Sequence, residues 1–203
     1  MNPLIATLIS FFFLSNKDLI TQHQHKASLF RIDSFAQKYC KLHKKAYIAT
    51  IFPIAADNDE KIKEIFEKYG KIQYSKKVFL YENGPVNFLM FLYHKHGAGQ
   101  GYWLGSYYNN FKGARKSARY RFNSTNPLRL YVFVCDDLDT VRKCKKELRK
   151  YFNLGLESLH VNDTHEETVR IANVIFDDKM LEQMNTMKIS NLFLNAQLDA
   201  DKQ

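Results

Sequence analysis

The sequence predicts an α/β domain with a mixed, mostly parallel sheet of about four or five strands, helices on both faces, and an N-terminal helical extension before it. Two observations predict this class. Four short segments have the apolar, β-branched and aromatic composition of strands, and helical patterns of ten to fifteen residues alternate with them. Because a helix between two strands usually returns the chain to a parallel strand, the alternation favours a largely parallel sheet.

The first half of the domain contains two strands and two helices. AYIATIF, residues 46–52, is short and apolar and is closed by Pro53, which predicts a buried strand. The next segment has capping acids at its start, one apolar face and Gly70 at its end, which predicts a helix. KIQYSKKVFLY then predicts a second strand, and the almost wholly apolar VNFLMFLYH predicts a buried helix.

The second half repeats the alternation. LRLYVFVCDD predicts a third strand, and LESLHV predicts a short fourth one. Each is followed by a helical pattern, DTVRKCKKELRKYF and THEETVRIANVIF. The first of these helices places four apolar side chains inward: Val141, Cys144, Leu148 and Phe152.

The chain divides into three parts: an N-terminal helical extension (residues 1–45), a single α/β domain (residues 46–195) and a frayed tail (residues 196–203). Within the extension, residues 4–14 form an apolar run of eleven that is too short to cross a bilayer. We expect no transmembrane span, and a helix buried against the domain or against a protein partner. A membrane-surface anchor and a targeting segment are the alternatives.

Cysteine usage favours a reducing compartment. The chain has three cysteines, Cys40, Cys135 and Cys144, and contains no CxxC pair. An odd number without this spacing supports neither a disulfide framework nor a thiolate zinc site. We therefore expect a cytoplasmic protein, or one in another reducing intracellular compartment.

Positive charge is concentrated in one region of the chain. The net charge is +9, and the 53 residues from Asn83 to Cys135 contain seven Lys and Arg but no Asp or Glu. We call residues 95–129 the basic lobe. Solvated surfaces usually mix the two signs of charge, so a lobe of one sign favours a phosphate-rich partner.

The strongest local signal lies at residues 111–122, FKGARKSARYRF. If this segment is helical, Lys112, Arg115, Lys116 and Arg119 share one face. A second basic run, RKCKKELRK, has six cations and one acid in nine residues. The residues expected to bind ligand are Lys112, Arg115, Lys116, Arg119 and Arg121 for phosphates, with Trp103 and Tyr107 among the aromatic residues available to stack on bases.

HVNDTHEET, residues 160–168, has two interpretations. Thr164 followed by Glu167 is a capping box, which accounts for the acids as a helix start. Alternatively, His160 lies at the carboxyl end of a strand, where α/β folds bind ligands. The catalytic candidates are then His160, Asp163, His165 and Glu166, as metal ligands or acid–base groups. The acids would repel a bare phosphate, so this site would need a divalent cation such as Mg²⁺.

The leading functional prediction is binding of a phosphate-rich ligand, above all nucleic acid, through the basic lobe. The first alternative is a metal-assisted phosphoryl or nucleotidyl transferase, or a hydrolase, that uses the histidine and carboxylate cluster. The second alternative is a structural subunit of a larger assembly, whose apolar N-terminus is buried in a neighbour.

Overall fold

A computed structural model of the chain describes residues 32–55, 58–93 and 102–188, without the side chains of Tyr102 and Tyr107. In order along the chain, the elements are α1 (residues 32–42), β1 (Ala46–Ile51), α2 (Asp59–Glu67), β2 (Lys71–Val78), α3 (Gly84–Tyr93), α4 (Lys112–Arg121), β3 (Leu128–Val134), α5 (Leu138–Phe152), β4 (Leu159–Val161), α6 (His165–Ile175) and α7 (Asp178–Thr186).

The four strands form one sheet in the order β2-β3-β1-β4, and every neighbouring pair is antiparallel. At its centre Ile48 of β1 lies opposite Val132 of β3, and at one edge Thr50 lies opposite His160 of β4. The prediction of a mixed α/β chain is confirmed. The prediction of a mostly parallel sheet is wrong.

The connections explain the error. α2 joins β1 to β2, and these two strands do run in the same direction, but β3 lies between them. In the same way α5 joins β3 to β4, and β1 lies between those two. Each helix therefore returns the chain to a strand of the same direction, as the alternation indicates, but the two crossovers interleave. The strand order and directions are those of the ferredoxin-like β-α-β-β-α-β topology, with α3 and α4 between β2 and β3.

Helices cover both faces of the sheet. Successive side chains of a strand point to opposite faces, so Ile48 and Val132 pack in one core cluster while Ala49 and Phe133 pack in another. α2 and α5 lie on the second of these faces, through Ile62, Ile65, Phe66, Val141, Cys144 and Leu148. The first face is covered by side chains from α1, α3, α4, α6 and α7, among them Ala36, Cys40, Phe88, Ala118, Ile171 and Leu181.

α1 belongs to the segment predicted as an N-terminal extension, and its Ala36 and Cys40 are buried in the core cluster of the first face. The apolar run at residues 4–14 lies outside the described residues. That it forms a helix, and that this helix packs against the domain or a protein partner, therefore stay predictions. The tail at residues 196–203 also lies outside them. Among the described helices, none is both long enough and apolar enough to cross a membrane. All three cysteines are buried free thiols.

Candidate functional site

A cleft of about 970 Å³ opens beside the edge strand β4. β4 has only three residues, and α4 and α5, whose apolar side chains pack on opposite faces of the sheet, both contribute to the lining of this cleft. The volume is in the range of small-molecule sites. The lining residues are Tyr93, Trp103, Gly113, Lys116, Ser117, Tyr120, Arg121, Lys145, Arg149, Leu156, Glu157, His160, Asp163, Thr164 and Glu167.

α4 forms the basic wall of the cleft, and Gly113 determines how closely this helix packs against the backbone at Trp103. A Cβ added at Gly113 would lie 1.7 Å from the backbone oxygen of Trp103, so only glycine permits this approach. Glycine weakens a helix interior, and here the close contact with the 3₁₀ turn at Tyr102–Leu104 explains its presence. The helix then directs Lys116 and Ser117 into the cleft, together with Tyr120, while Ala114 and Ala118 are buried.

Arg121 lies at the inner end of this wall and is 4% exposed. Its Nε donates to the Glu157 carboxylate, and its Nη1 donates to the Tyr93 hydroxyl at 2.9 Å. The guanidinium also stacks on the Phe52 ring, 4.6 Å from the ring centroid. A buried charge needs such partners. Arg121 therefore joins α3, α4 and the turn at Gly155–Glu157 around the cleft.

α5 contributes two cations that lie one helical turn apart. Lys145 donates to the backbone oxygen of Val161 at 2.9 Å and lies 3.6 Å from the Asp163 carboxylate. Burial lowers the pKa of Lys145, and Asp163 offsets this in part. Burial also lowers the pKa of Arg149, whose Nε is buried and has no hydrogen-bond partner among the described residues.

The start of α6 is capped as the sequence predicts. Thr164 is the N-cap, and its Oγ1 accepts a hydrogen bond from the Glu167 amide at 3.2 Å. The second half of the capping box is displaced by one residue, because Glu167 Oε2 accepts from the amide of Asp163 and not from that of Thr164. The cap thus uses one carboxylate oxygen of Glu167 and leaves Oε1 to face the cleft side chains.

Asn162 holds β4, β1 and α6 together. Its Oδ1 accepts from the Ile48 amide at 2.6 Å, and its Nδ2 donates to Thr168 Oγ1 at 2.6 Å and to the backbone oxygen of Thr164 at 2.8 Å. Thr168 Oγ1 in turn donates to the backbone oxygen of Ala46 at 2.9 Å. Because Asn162 is fully buried, its amide group serves the fold at the strand end.

His160 and Glu167 meet on the floor of the cleft. His160 Nε2 lies 3.0 Å from Glu167 Oε1, and both residues are buried. The imidazole ring packs edge-on against Tyr93, with ring centroids 5.3 Å apart. Arg170 Nη2 approaches the same Glu167 oxygen at 3.7 Å. A histidine paired with a carboxylate is a common acid–base arrangement.

The structure brings some of the predicted catalytic residues to the cleft and leaves others outside it. His160 and Asp163 line the cleft, whereas His165 and Glu166, the next two candidates, do not. Within the described residues, no group of three or more His, Cys, Asp and Glu side chains is arranged to hold a metal ion.

The predicted ligand-binding residues divide in the same way. The basic segment is helical as expected, but only Lys116 and Arg121 of its cations reach the cleft, together with Trp103. Lys112 and Arg119 are exposed outside it. Arg115 donates from its Nε to the backbone oxygen of Asn110, in the loop before α4, at 3.0 Å. The side chain of Tyr107 lies outside the described residues.

Several side chains that line the cleft are not among the predicted site residues. Lys145 and Arg149 belong to the basic run of α5, whose sequence indicates a concentration of positive charge but not a position in a site. Tyr93, Ser117 and Glu157 carry no local signal, because each is an ordinary residue whose position matters only once α3, α4 and β4 meet.

No family model matches the chain, and no curated protein matches it in sequence.

Proposed function

We propose that the protein binds a phosphate-rich ligand, nucleic acid above all, with one nucleotide of a single strand in the cleft beside β4. One observation supports this most strongly. Two basic segments separated by 20 residues, α4 and the run in α5, place four cations on one cleft: Lys116, Arg121, Lys145 and Arg149. Glu157 and Asp163 lie beside two of these cations, Arg121 and Lys145, so the positive potential comes mainly from Lys116 and Arg149. Cations from separate elements in one concavity focus positive potential better than a solvated helix face does.

The aromatic side chains of the cleft support a nucleotide in particular. Trp103 and Tyr120 both line the cleft, yet they are 41% and 48% exposed. Exposed rings beside cations are the combination that single-stranded nucleic acids bind, because every base can stack on a ring. Bases in a duplex are already stacked, so we expect a single strand to be preferred.

The test is fluorescence anisotropy with labelled single-stranded DNA, single-stranded RNA and duplex at two salt concentrations. We expect the single strands to bind, with affinity falling steeply as salt rises because counterions are released. Lys116→Ala should lower the slope of log affinity against log salt by about one. Arg119→Ala is the matched control, since Arg119 lies on the same helix outside the cleft. No binding at low salt would overturn the proposal.

The enzymatic alternative is favoured by one observation, the buried His160–Glu167 pair in the same cleft. The reaction class would be phosphoryl transfer or hydrolysis, with His160 as the acid–base group. Because the described side chains form no group arranged to hold a metal ion, Mg²⁺ would have to come bound to the phosphates of the substrate. Incubation of a labelled strand or nucleotide with and without Mg²⁺ tests it. Turnover that His160→Asn abolishes, with strand binding intact, would support catalysis. Unchanged substrate in all mixtures would leave the protein as a binding protein.

The three buried free thiols support a reducing compartment, cytoplasmic or another intracellular one, as the place of this function.

A further inference from the structure

Two polar atoms in the cleft wall lack hydrogen bonds. Arg149 Nε and Ser117 Oγ are both buried, and neither has a partner among the described residues. The two residues line the same cleft from different helices, α5 and α4. Because buried polar atoms in native proteins are nearly always hydrogen-bonded, two such atoms on one cleft need an explanation. Both can donate a hydrogen bond, so an acceptor group would satisfy both.

The charges of the cleft indicate the sign and the magnitude of the charge that this acceptor group carries. Arg121 is paired with Glu157, Lys145 lies beside Asp163, and Glu167 is in contact with His160 and Arg170. Two cations remain. Within the part of the chain that the structure describes, neither Lys116 nor Arg149 forms an ion pair with an acid, and Asp163, which lies beside Lys145, acts on Arg149 only at longer range. The cleft therefore presents two cations without a close acidic partner.

We propose that the cleft is a receptor for a terminal phosphate monoester on a nucleotide, held by Arg149, Ser117 and Lys116. A phosphate monoester carries a charge of about −1.5 to −2 near neutral pH and has three acceptor oxygens. That charge matches two cations, and the oxygens match the three donors. A phosphodiester inside a strand has one charge and two free oxygens, so it would leave a donor and a charge unmatched. This inference rests on the proposed nucleotide binding.

The acids of the cleft argue against a longer phosphate chain. Asp163 and Glu157 line the cleft beside the cations. A triphosphate would bring its extra negative charge towards these carboxylates, and like charges at short range repel. Trp103 and Tyr120 can then stack on the base that the phosphate carries. The same chemistry can come from a free mononucleotide or from the phosphorylated end of a strand.

The experiment compares probes that differ only in the terminal phosphate. Anisotropy is measured with a single-stranded DNA that ends in a 5′-phosphate, a 3′-phosphate or two hydroxyls, carrying an internal label. Unlabelled adenosine, AMP and ATP serve as competitors. We expect one phosphorylated strand to bind at least about tenfold more tightly than the hydroxyl strand, because charge-assisted hydrogen bonds are the strong ones. AMP should compete, and adenosine should not. ATP without Mg²⁺ should compete less well than AMP.

Substitutions test whether the preference for a phosphorylated end comes from Ser117 and Arg149. Ser117→Ala and Arg149→Gln should remove the preference for the phosphorylated end, whereas Arg119→Gln, on the exposed side of α4, should keep it. Melting temperatures close to that of the unmodified protein establish that each variant folds, and Ser117→Ala decides the matter if Arg149→Gln does not fold.

The outcomes separate this inference from the proposed function. Equal affinity for phosphorylated and hydroxyl strands would overturn the terminal-phosphate site and leave strand binding in place. Binding of AMP without binding of any strand would support the terminal-phosphate site, identify the free mononucleotide as its source and overturn strand binding. Failure of every probe at low salt would overturn both.

Discussion

Arg121→Ala should lower the free energy of unfolding by about 2 to 3 kcal/mol, the usual worth of hydrogen bonds to a charged group. The cost stays below that of breaking a wholly buried ion pair, because the Glu157 side chain is 40% exposed and water can solvate its carboxylate. The substitution leaves the Glu157 carboxylate and the Tyr93 hydroxyl without their donor and removes the stacking on Phe52. Arg119→Ala, two residues away on the exposed side of α4, should change stability by no more than about 0.5 kcal/mol.

Urea denaturation of both variants, followed by circular dichroism, measures the two effects. A similar small loss for Arg121 and Arg119 would contradict the buried network. The comparison also separates two roles for Arg121, the direct phosphate contact that the sequence predicts and a structural role in the wall of the cleft. In the structure its donors are directed to protein groups, so any loss of ligand affinity in Arg121→Ala should accompany a loss of structure around the cleft.

Asn162→Ala should cost about 3 kcal/mol, because a buried amide or hydroxyl left without its partner typically costs about 1 to 3 kcal/mol. The change removes the acceptor of the Ile48 amide and the donor to Thr168, both in the core. Thr164→Ala, which removes only the cap of α6, should cost about 1 kcal/mol. His165→Ala should be nearly neutral, since its buried Nδ1 has no hydrogen-bond partner among the described residues.

Equilibrium unfolding of these three variants compares the contributions of Asn162, Thr164 and His165 to the free energy of unfolding. A larger loss for His165→Ala than for Asn162→Ala would show that the hydrogen bonds from Asn162 do not hold the strand end. The ranking also bears on the two interpretations of the segment, because the cap and the cleft share residues. Thr164 and Glu167 form the cap and line the cleft as well, so initiation of the helix does not exclude a site.

The elements of the domain can be predicted from the sequence, because helices and strands depend largely on neighbours along the chain, although β2, β3 and β4 are each about three residues shorter than their patterns predict. Periodic apolar positions placed Val141, Cys144 and Leu148 on the buried side of α5, where the structure has them. Thr164 caps α6 through a hydrogen bond to a residue three positions away, which is also a local interaction. The basic residues of α4 form a helix in the expected place.

Which strands are neighbours, and which side chains share a cleft, follows from long-range contacts that the sequence does not show. The buried strands β1 and β3 resemble parallel strands in composition, because helices cover both faces of an antiparallel sheet. No local pattern in the sequence indicates that β3 lies between β1 and β2, since hydrogen bonds between strands join residues far apart in the chain. The cleft depends on the same long-range contacts. Lys116 of α4 and Arg149 of α5 line one cleft because both helices reach the space beside the short edge strand β4, whereas Arg119, three residues from Lys116, is exposed outside it.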